Sequence, residues 1–411
     1  MPASFYRVLG VQFLSTLADN ALLIVVIARV FELSQPGWLI PILKIGFTLF
    51  YVVLAPFVGP FADAYPKGRV MVLANFIKVC AVVGLIVGIS PALAIAVAGF
   101  GAAIYAPAKY GLMTELLLPE DLVRANGFFE GITVCGVVFG TVLGGLLVSA
   151  WMPALTLPSW LMLGDQVPTA LLAGLCVLLM MNIVALWLSR SVVDTGARYE
   201  RHSIHPAELL ARFFREQSLL WRDPQGGMSM AVTTLLWGIA ATLQLIVLRW
   251  AHEALGLSLA HAAYLQGVTA VGVVAGAMLA SRFVTLSDVP RLLPLGIVLG
   301  TLVPLMLTLD SVAVAVVLLV IVGGLAGFFV VPMNALLQHR GHHLLTAGRS
   351  IAVQGFNENA GMLVMLALYS GGIATGASLD ALIWGLALLT AGGMSCIWLW
   401  HKNTSRHSTI T

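Results

Sequence analysis

The chain has 411 residues; 60% are apolar, only 9% are charged, and the formal net charge is +3. A soluble domain carries about 25% charged residues, and a mean hydropathy of +0.98 leaves too few charges to cover a water-exposed surface. A cytosolic enzyme, a nucleic-acid binder and a disordered scaffold are excluded, which leaves an integral membrane protein with short loops.

A spanning helix needs about 20 mostly apolar residues. Twelve such windows follow one another, at roughly 8–31, 38–62, 70–89, 92–114, 125–150, 168–189, 229–250, 262–284, 291–309, 312–337, 350–374 and 378–400. The first is long, contains Asp19 and lacks a cleavage site, so it reads as a span and not as a signal peptide. The longest polar stretch, 190–228, separates an N-terminal half (1–189) from a C-terminal half with a short tail (229–411). The expected fold class is an all-α integral membrane protein of 12 transmembrane helices in two six-helix halves.

Basic residues give the orientation. Arg7, Lys67, Arg69, Arg124, Arg282, Arg291, Arg340, Arg349, Lys402, Arg406 and six linker arginines fall on one side. The opposite loops, near 32–37, 90–91, 151–167, 251–261, 310–311 and 375–377, hold none. Excess Lys and Arg marks the cytoplasmic face, so both termini and the linker are expected there. Within the linker, Leu209, Leu210, Phe213, Phe214, Leu220 and Trp221 recur at helical spacing between Pro206 and Asp223. This predicts an interfacial helix that tethers the halves, with Glu208 and Arg212 placed to pair.

Charge inside hydrocarbon costs a few kcal/mol on insertion scales, so each buried ionisable group needs an account. In span 1, Gln12, Ser15, Thr16 and Asp19 share one helical face, with Asn20 beside it. Span 11 carries Gln354, Asn357, Glu358 and Asn359. Both clusters read either as substrate contacts or as hydrogen-bonded locks between helices. Lys44 and Lys78 are expected to snorkel to an interface. Lys109 lies in span 4, and Arg249, at the outer end of span 7, is a candidate for binding an anionic group. Cys80, Cys135, Cys176 and Cys396 show no paired spacing and read as small buried hydrophobes. Gly136, Gly140 and Gly144 suit close helix packing. Pro107 precedes Arg124 by 17 residues, and Pro332 precedes Arg349 by the same interval, a faint internal repeat.

No phosphate loop, zinc-protease pair or His-x-x-x-x-Asp acyltransferase box is present, and His339, His342 and His343 lack the company of a metal site. No enzyme, cofactor or metal is expected. Between spans 2 and 3 runs Gly59-Pro60-Phe61-Ala62-Asp63-Ala64-Tyr65-Pro66-Lys67-Gly68-Arg69. It resembles the Gly-x-x-x-Asp-x-x-x-Arg/Lys signature of the major facilitator superfamily. Gly59 permits a tight helix end there, and Asp63 can cap the next helix or pair with a basic neighbour, a conformational latch formed by Gly59, Asp63, Lys67 and Arg69.

Further stretches are more specific. They are Gln12-Phe13-Leu14-Ser15 with Asp19-Asn20-Ala21-Leu22-Leu23, Pro107-Ala108-Lys109-Tyr110-Gly111 with Glu115, and Ala125-Asn126-Gly127 with Glu130. In the second half they are Gly327-Phe328-Phe329-Val330-Val331-Pro332 with Asn334, and Gln354 with Glu358-Asn359. Through them, nearly the whole chain resembles the bacterial lysophospholipid transporters of the major facilitator superfamily. The resemblance implies inward movement of lysophospholipids such as lysophosphatidylethanolamine across the bacterial inner membrane, by a monomer among membrane lipids. It also implies a functional partner, an acyltransferase/acyl-carrier-protein synthetase that restores the second chain. Head-group contacts are then expected from Asp19, Asn20, Lys109, Gln244, Arg249, Asn357 and Glu358, with alternating access and lateral entry of substrate. One departure is Gln244, where family members carry an arginine; Arg249 lies five residues on and on a different face. The alternatives are a proton-coupled carrier of a small solute or drug and a non-transporting scaffold for an acyltransferase.

Overall fold

Helices are the regular elements among the described residues of the computed structural model, which are 3–34, 39–149, 152–153, 155, 169–192, 194–197, 199, 205–257 and 259–408. In chain order they are α1 (Ala3–Glu32), α2 (Leu39–Val53), α3 (Ala55–Ala64), α4 (Lys67–Ile86), α5 (Pro91–Leu116), α6 (Leu122–Leu147) and α7 (Thr169–Ser189). There follow α8 (Pro206–Arg222), α9 (Pro224–Glu253), α10 (Leu259–Phe283), α11 (Leu293–Leu302), α12 (Val312–Leu344), α13 (Ala347–Ala374) and α14 (Leu379–Ser408). Most of the expected 151–167 loop, Arg198, Arg201 and the side chains of Lys44 and Arg406 lie outside the described residues.

Among the described residues, ten helices are long and apolar enough to cross a membrane, and α2 with α3 adds one bent pair. The expected eleventh span, α13, is long enough but is diluted by Gln354, Asn357, Glu358 and Asn359. The expected second span is bent by 65° between α2 and α3. Pro56 stands in the first turn of α3, where its ring cannot continue the helix from α2. The stretch after α11 tightens to a 3₁₀ turn at Val303–Thr308, around Pro304. The linker helix forms as expected, as α8. Glu208 and Arg212 do not pair, in keeping with the small worth of an exposed ion pair.

The chain divides into two compact units. Unit 1 comprises Met1–Leu117, Ile132–Arg212 and Thr346–Val353; unit 2 comprises Leu118–Gly131, Phe213–Leu345 and Gln354–Thr411. The first turns of α6 therefore belong with the C-terminal helices and those of α13 with the N-terminal ones. The Pro–Arg repeat falls on corresponding elements: Pro107 and Pro332 sit inside α5 and α12, and Arg124 and Arg349 begin α6 and α13.

The core of unit 1 gathers Leu22, Val26, Val82, Ile95 and Leu175 from α1, α4, α5 and α7. That of unit 2 gathers Trp250, Leu293, Phe329, Ile383 and Met394 from α9, α11, α12 and α14. Outside these cores the surface is apolar too: Phe139, Trp187, Val271 and Leu388 are more than half exposed. That is the pattern of helices facing lipid. Cys80, Cys176 and Cys396 lie on this surface, which corrects their reading as buried hydrophobes; lipid is as suitable for a thiol as a protein core.

Lipid tails are as apolar as leucine, so helices associate through close packing and polar contacts. The expected glycine run does this in unit 1. A methyl at Gly140 would lie 2.5 Å from the carbonyl oxygen of Leu17, and one at Gly136 would lie 3.0 Å from Thr16 of α1. In unit 2, α10 and α12 meet backbone to backbone through Gly272, Gly276, Gly323 and Gly327. A methyl at Gly276 would land on the carbonyl of Gly324. Gly276→Ala is therefore expected to destabilise by about 1–3 kcal/mol, read as a lower unfolding temperature in detergent. Gly385→Ala, where no atom lies within 4 Å of the added methyl, is expected to cause no loss. Equal stability of the two variants would contradict the close α10–α12 contact.

Candidate functional site

The polar face of α1 becomes a connected network in unit 1. Lys78 of α4 is 1% exposed. Its ammonium donates to Asp19 Oδ2 at 2.5 Å and to Ser15 Oγ at 2.8 Å. This corrects the snorkelling expectation: the side chain turns inward because a carboxylate and a hydroxyl wait there. Lys109 of α5 donates to Gln12 Oε1 at 3.0 Å. Gln12 passes its own amide hydrogens to Thr16 Oγ1 and Thr133 Oγ1, each at 3.0 Å. The Tyr105 ring stands between the two lysines, 5.3 Å from Lys78 Nζ and 5.5 Å from Lys109 Nζ. Lys109 also lies 4.6 Å from the Tyr110 ring. The network thus sets two ammonium groups and the Asp19 carboxylate among apolar helices, the groups that can meet a phosphate and an ammonium. Asn20 donates to Thr16 O of its own helix at 2.9 Å.

The expected residues of unit 2 form separate groups. Gln354 donates to Glu358 Oε1 at 2.8 Å and to Asn334 Oδ1 of α12 at 3.1 Å. Asn357, one position before Glu358, is engaged by the linker helix. It exchanges hydrogen bonds with Gln217 at 2.9 and 3.0 Å and accepts from Trp221 Nε1 at 3.2 Å. The Phe213 ring meets Phe356 edge-on at 5.3 Å. Gln244 exchanges hydrogen bonds with Gln266 of α10. Arg249 pairs with Glu253 of its own helix at 2.6 Å. Among the described residues, no hydrogen bond joins Gln244 or Arg249 to Glu358.

The loop motif is also resolved into roles. Asp63, at the end of α3, accepts from Lys67 Nζ at 2.7 Å, from Gly348 N at 2.8 Å, from Arg349 N at 3.2 Å and from the Thr346 hydroxyl. It caps α13, nearly 300 positions on, and not the next helix. Gly59 lies inside α3, and a methyl there would sit 2.9 Å from both Arg349 Cα and Ala352 Cβ. The glycine thus serves close approach to α13 where a tight helix end was expected. Lys67 is buried beside Asp63 and reaches Glu115 Oε1 at 3.4 Å. Arg69 is exposed and stands apart from this network.

Glu115, to which the sequence pattern gives no role, accepts from Thr195 Oγ1 at 2.6 Å and from the Tyr199 hydroxyl at 3.0 Å. An acid at the predicted inner end of span 4 was the available signal. Burial, and then the Glu115 carboxylate, hold the Tyr199 hydroxyl above the ordinary phenol range. Asp223 was also missed. It caps α9 through Gly226 N at 2.7 Å and holds Arg340 with bonds of 2.5 and 3.0 Å.

A profile of the Major Facilitator Superfamily matches residues 8–365. The chain belongs to that superfamily. It is 40% identical over 379 residues, 92% of its length, to the lysophospholipid transporter LplT of Yersinia pestis (strain Pestoides F), covering 89% of that protein. The same identity and coverage hold for LplT of Yersinia pseudotuberculosis (strain IP32953). Among solved structures, a bacterial homologue of the iron transporter ferroportin superposes with a TM-score of 0.72 at 15% identity, over 98% of this chain and 100% of that one. The transporter FucP gives 0.71 at 12% identity, over 97% and 98%. These two likenesses concern the fold. The chain is a multi-pass membrane protein of the transporter class, with the all-α architecture expected from its hydropathy.

Burial works to raise the Asp223 carboxyl, but the Arg340 guanidinium and the Gly226 amide outweigh it and hold the group below its ordinary range. A lowered folded value adds stability above the unfolded value of about 3.9, and that stability is lost as pH falls through the folded value. Asp223→Asn, which keeps the helix cap and removes the ion pair, is expected to cost about 1 kcal/mol at pH 7. The gap from the unsubstituted protein, read by thermal unfolding in detergent, should close on acidification below the ordinary carboxylate range. A gap independent of pH would show that the ion pair is not its source.

Proposed function

We propose that the protein moves lysophospholipids, such as lysophosphatidylethanolamine, inward across a bacterial inner membrane, with both termini on the cytoplasmic side. The observation that carries this reading is the Asp19–Lys78–Lys109–Gln12 network, which places two ammonium groups and a carboxylate among apolar helices. A lysophospholipid needs its phosphate satisfied where no water is available, whereas its single chain is content in hydrocarbon. Lys109 is the phosphate contact; Asp19 sets the position of Lys78 and can meet an ethanolamine ammonium. Asn20, Gln244, Arg249 and Glu358 are secondary head-group contacts. Asn357 contributes through its bond to the linker helix. The 40% identity to LplT over most of both chains supports the substrate class. The protein acts as a monomer, and an acyltransferase supplies the second acyl chain after transport.

Asp63 and Lys67, with Gly59, form a latch on the start of α13 that is broken and remade in each cycle; Arg69 flanks it. In proteoliposomes holding only this protein, labelled lysophosphatidylethanolamine should become protected and a diacyl control should not. A charge-assisted hydrogen bond contributes about 1.5–3 kcal/mol, so Lys109→Ala and Asp19→Asn should each slow uptake on the order of tenfold or more. Full activity in both variants would sink the site assignment. Uptake of a small solute that follows a proton gradient, without lysolipid movement, would replace the proposal with the carrier reading. Asp63→Ala should lower the maximal rate several-fold while leaving half-saturation nearly unchanged, because the latch does not touch substrate. A change confined to half-saturation would contradict that role.

A further inference from the structure

Arg69 is the member of the loop motif left over once Lys67 has paired with Asp63. In unit 1 it lines a cavity of about 380 Å³ between the start of α4 and the end of α7. Arg190 lines the same cavity, with Pro66, Val72, Val192 and Asp194. Neither guanidinium makes an ion pair or side-chain hydrogen bond among the described residues. Both are exposed at the mouth. Arg7 adds a third positive charge close by, since its guanidinium donates to Ser191 O at 3.3 Å. Asp194 contributes a carboxylate that also accepts from Gly196 N at 3.0 Å.

Two guanidinium groups that face one cavity, unpaired among the described residues, make a strong receptor for a phosphate, because each presents a planar fork of donors to its oxygens. Apolar Pro66, Val72 and Val192 beside them suit the glycerol and the root of an acyl chain. We infer that this cavity binds the phosphodiester head group of a membrane phospholipid through Arg69 and Arg190. The site is separate from the Asp19–Lys109 network, so the inference stands whatever the transported substrate is. The two groups differ in setting as well. Lys109 is held by Gln12 among transmembrane helices, whereas Arg69 and Arg190 open outward at the helix ends. The cavity lies on the side rich in basic residues, where an anionic leaflet would be met.

Native mass spectrometry of the full chain, purified in detergent and titrated with dioleoyl phosphatidylglycerol, tests this. The unsubstituted protein should retain one tightly held lipid. Arg69→Gln and Arg190→Gln should each lower the bound fraction fivefold or more, and Arg69→Lys should recover part of it. Arg291→Gln removes an exposed charge in unit 2 and should leave binding unchanged. Unfolding temperature, measured alongside, separates loss of the site from loss of the fold; where one glutamine variant fails to fold, the other carries the test. Glycerol 3-phosphate assigns the source. Displacement of the lipid by millimolar amounts means that free phosphate suffices, and failure to displace it means that the acyl root contributes; either result supports phosphate recognition. Unchanged lipid retention in the double variant Arg69→Gln/Arg190→Gln, or an equal fall in Arg291→Gln, would overturn the inference. Because the readout is retention and not transport, its failure is distinguishable from failure of the proposed function.

Discussion

Hydrocarbon neither solvates a charge nor hydrogen-bonds an amide, and that constraint organises this protein. Each ionisable group carried into the apolar stretches must find its partner in the chain. Lys78 meets Asp19 and Ser15, Lys109 meets Gln12, and Gln12 in turn meets Thr16 and Thr133. These polar residues of unit 1 therefore occur as a linked run and not as scattered exceptions. The run holds two ammonium groups and a carboxylate together, and those are the groups that can meet a zwitterionic phosphate head.

The same medium removes the hydrophobic drive that pulls helices together in water. Association rests on how closely backbones can approach. Glycines at Gly136 and Gly140 seat α6 on α1, and those of α10 and α12 bring two backbones into direct contact. Gly59 does so at the motif, where α3 must come close enough for Asp63 to reach the first amides of α13. Packing and capping are one event there: without the close approach, the carboxylate could not reach those amides. A reciprocal amide pair, Asn126 with Gln338, marks the corresponding place in unit 2, where the start of α6 joins the end of α12.

The linker helix follows both rules at once. Its inner face buries Phe213, Glu216 and Leu220, and its polar edge reaches Asn357 through Gln217 and Trp221. Leu210 and Phe214 remain exposed. Because Asn357 directly precedes Glu358, the linker is mechanically joined to the polar turn of α13.

Composition alone decided that this chain is a bundle of membrane helices, because a single scalar, hydropathy, governs partition into lipid. Period 3.6 foretold α8 and the shared face of Gln12, Ser15, Thr16 and Asp19, whereas the expected second span carried no sign of the bend that the structure places before Pro56. What tertiary structure alone decided is who pairs with whom. The snorkelling expected of Lys78 and the cap on the next helix expected of Asp63 were each inferred from neighbours in sequence, and nothing in sequence marked the bond between Asn357 and the linker helix. Their partners lie 59, 285 and 140 residues away. Arg69 and Lys67 stand two positions apart in one motif, yet one is exposed at a cavity and the other is buried in an ion pair. Local sequence sets the face on which a side chain emerges; which distant group meets it depends on helix packing, and in this protein packing is set by where glycine lets backbones touch.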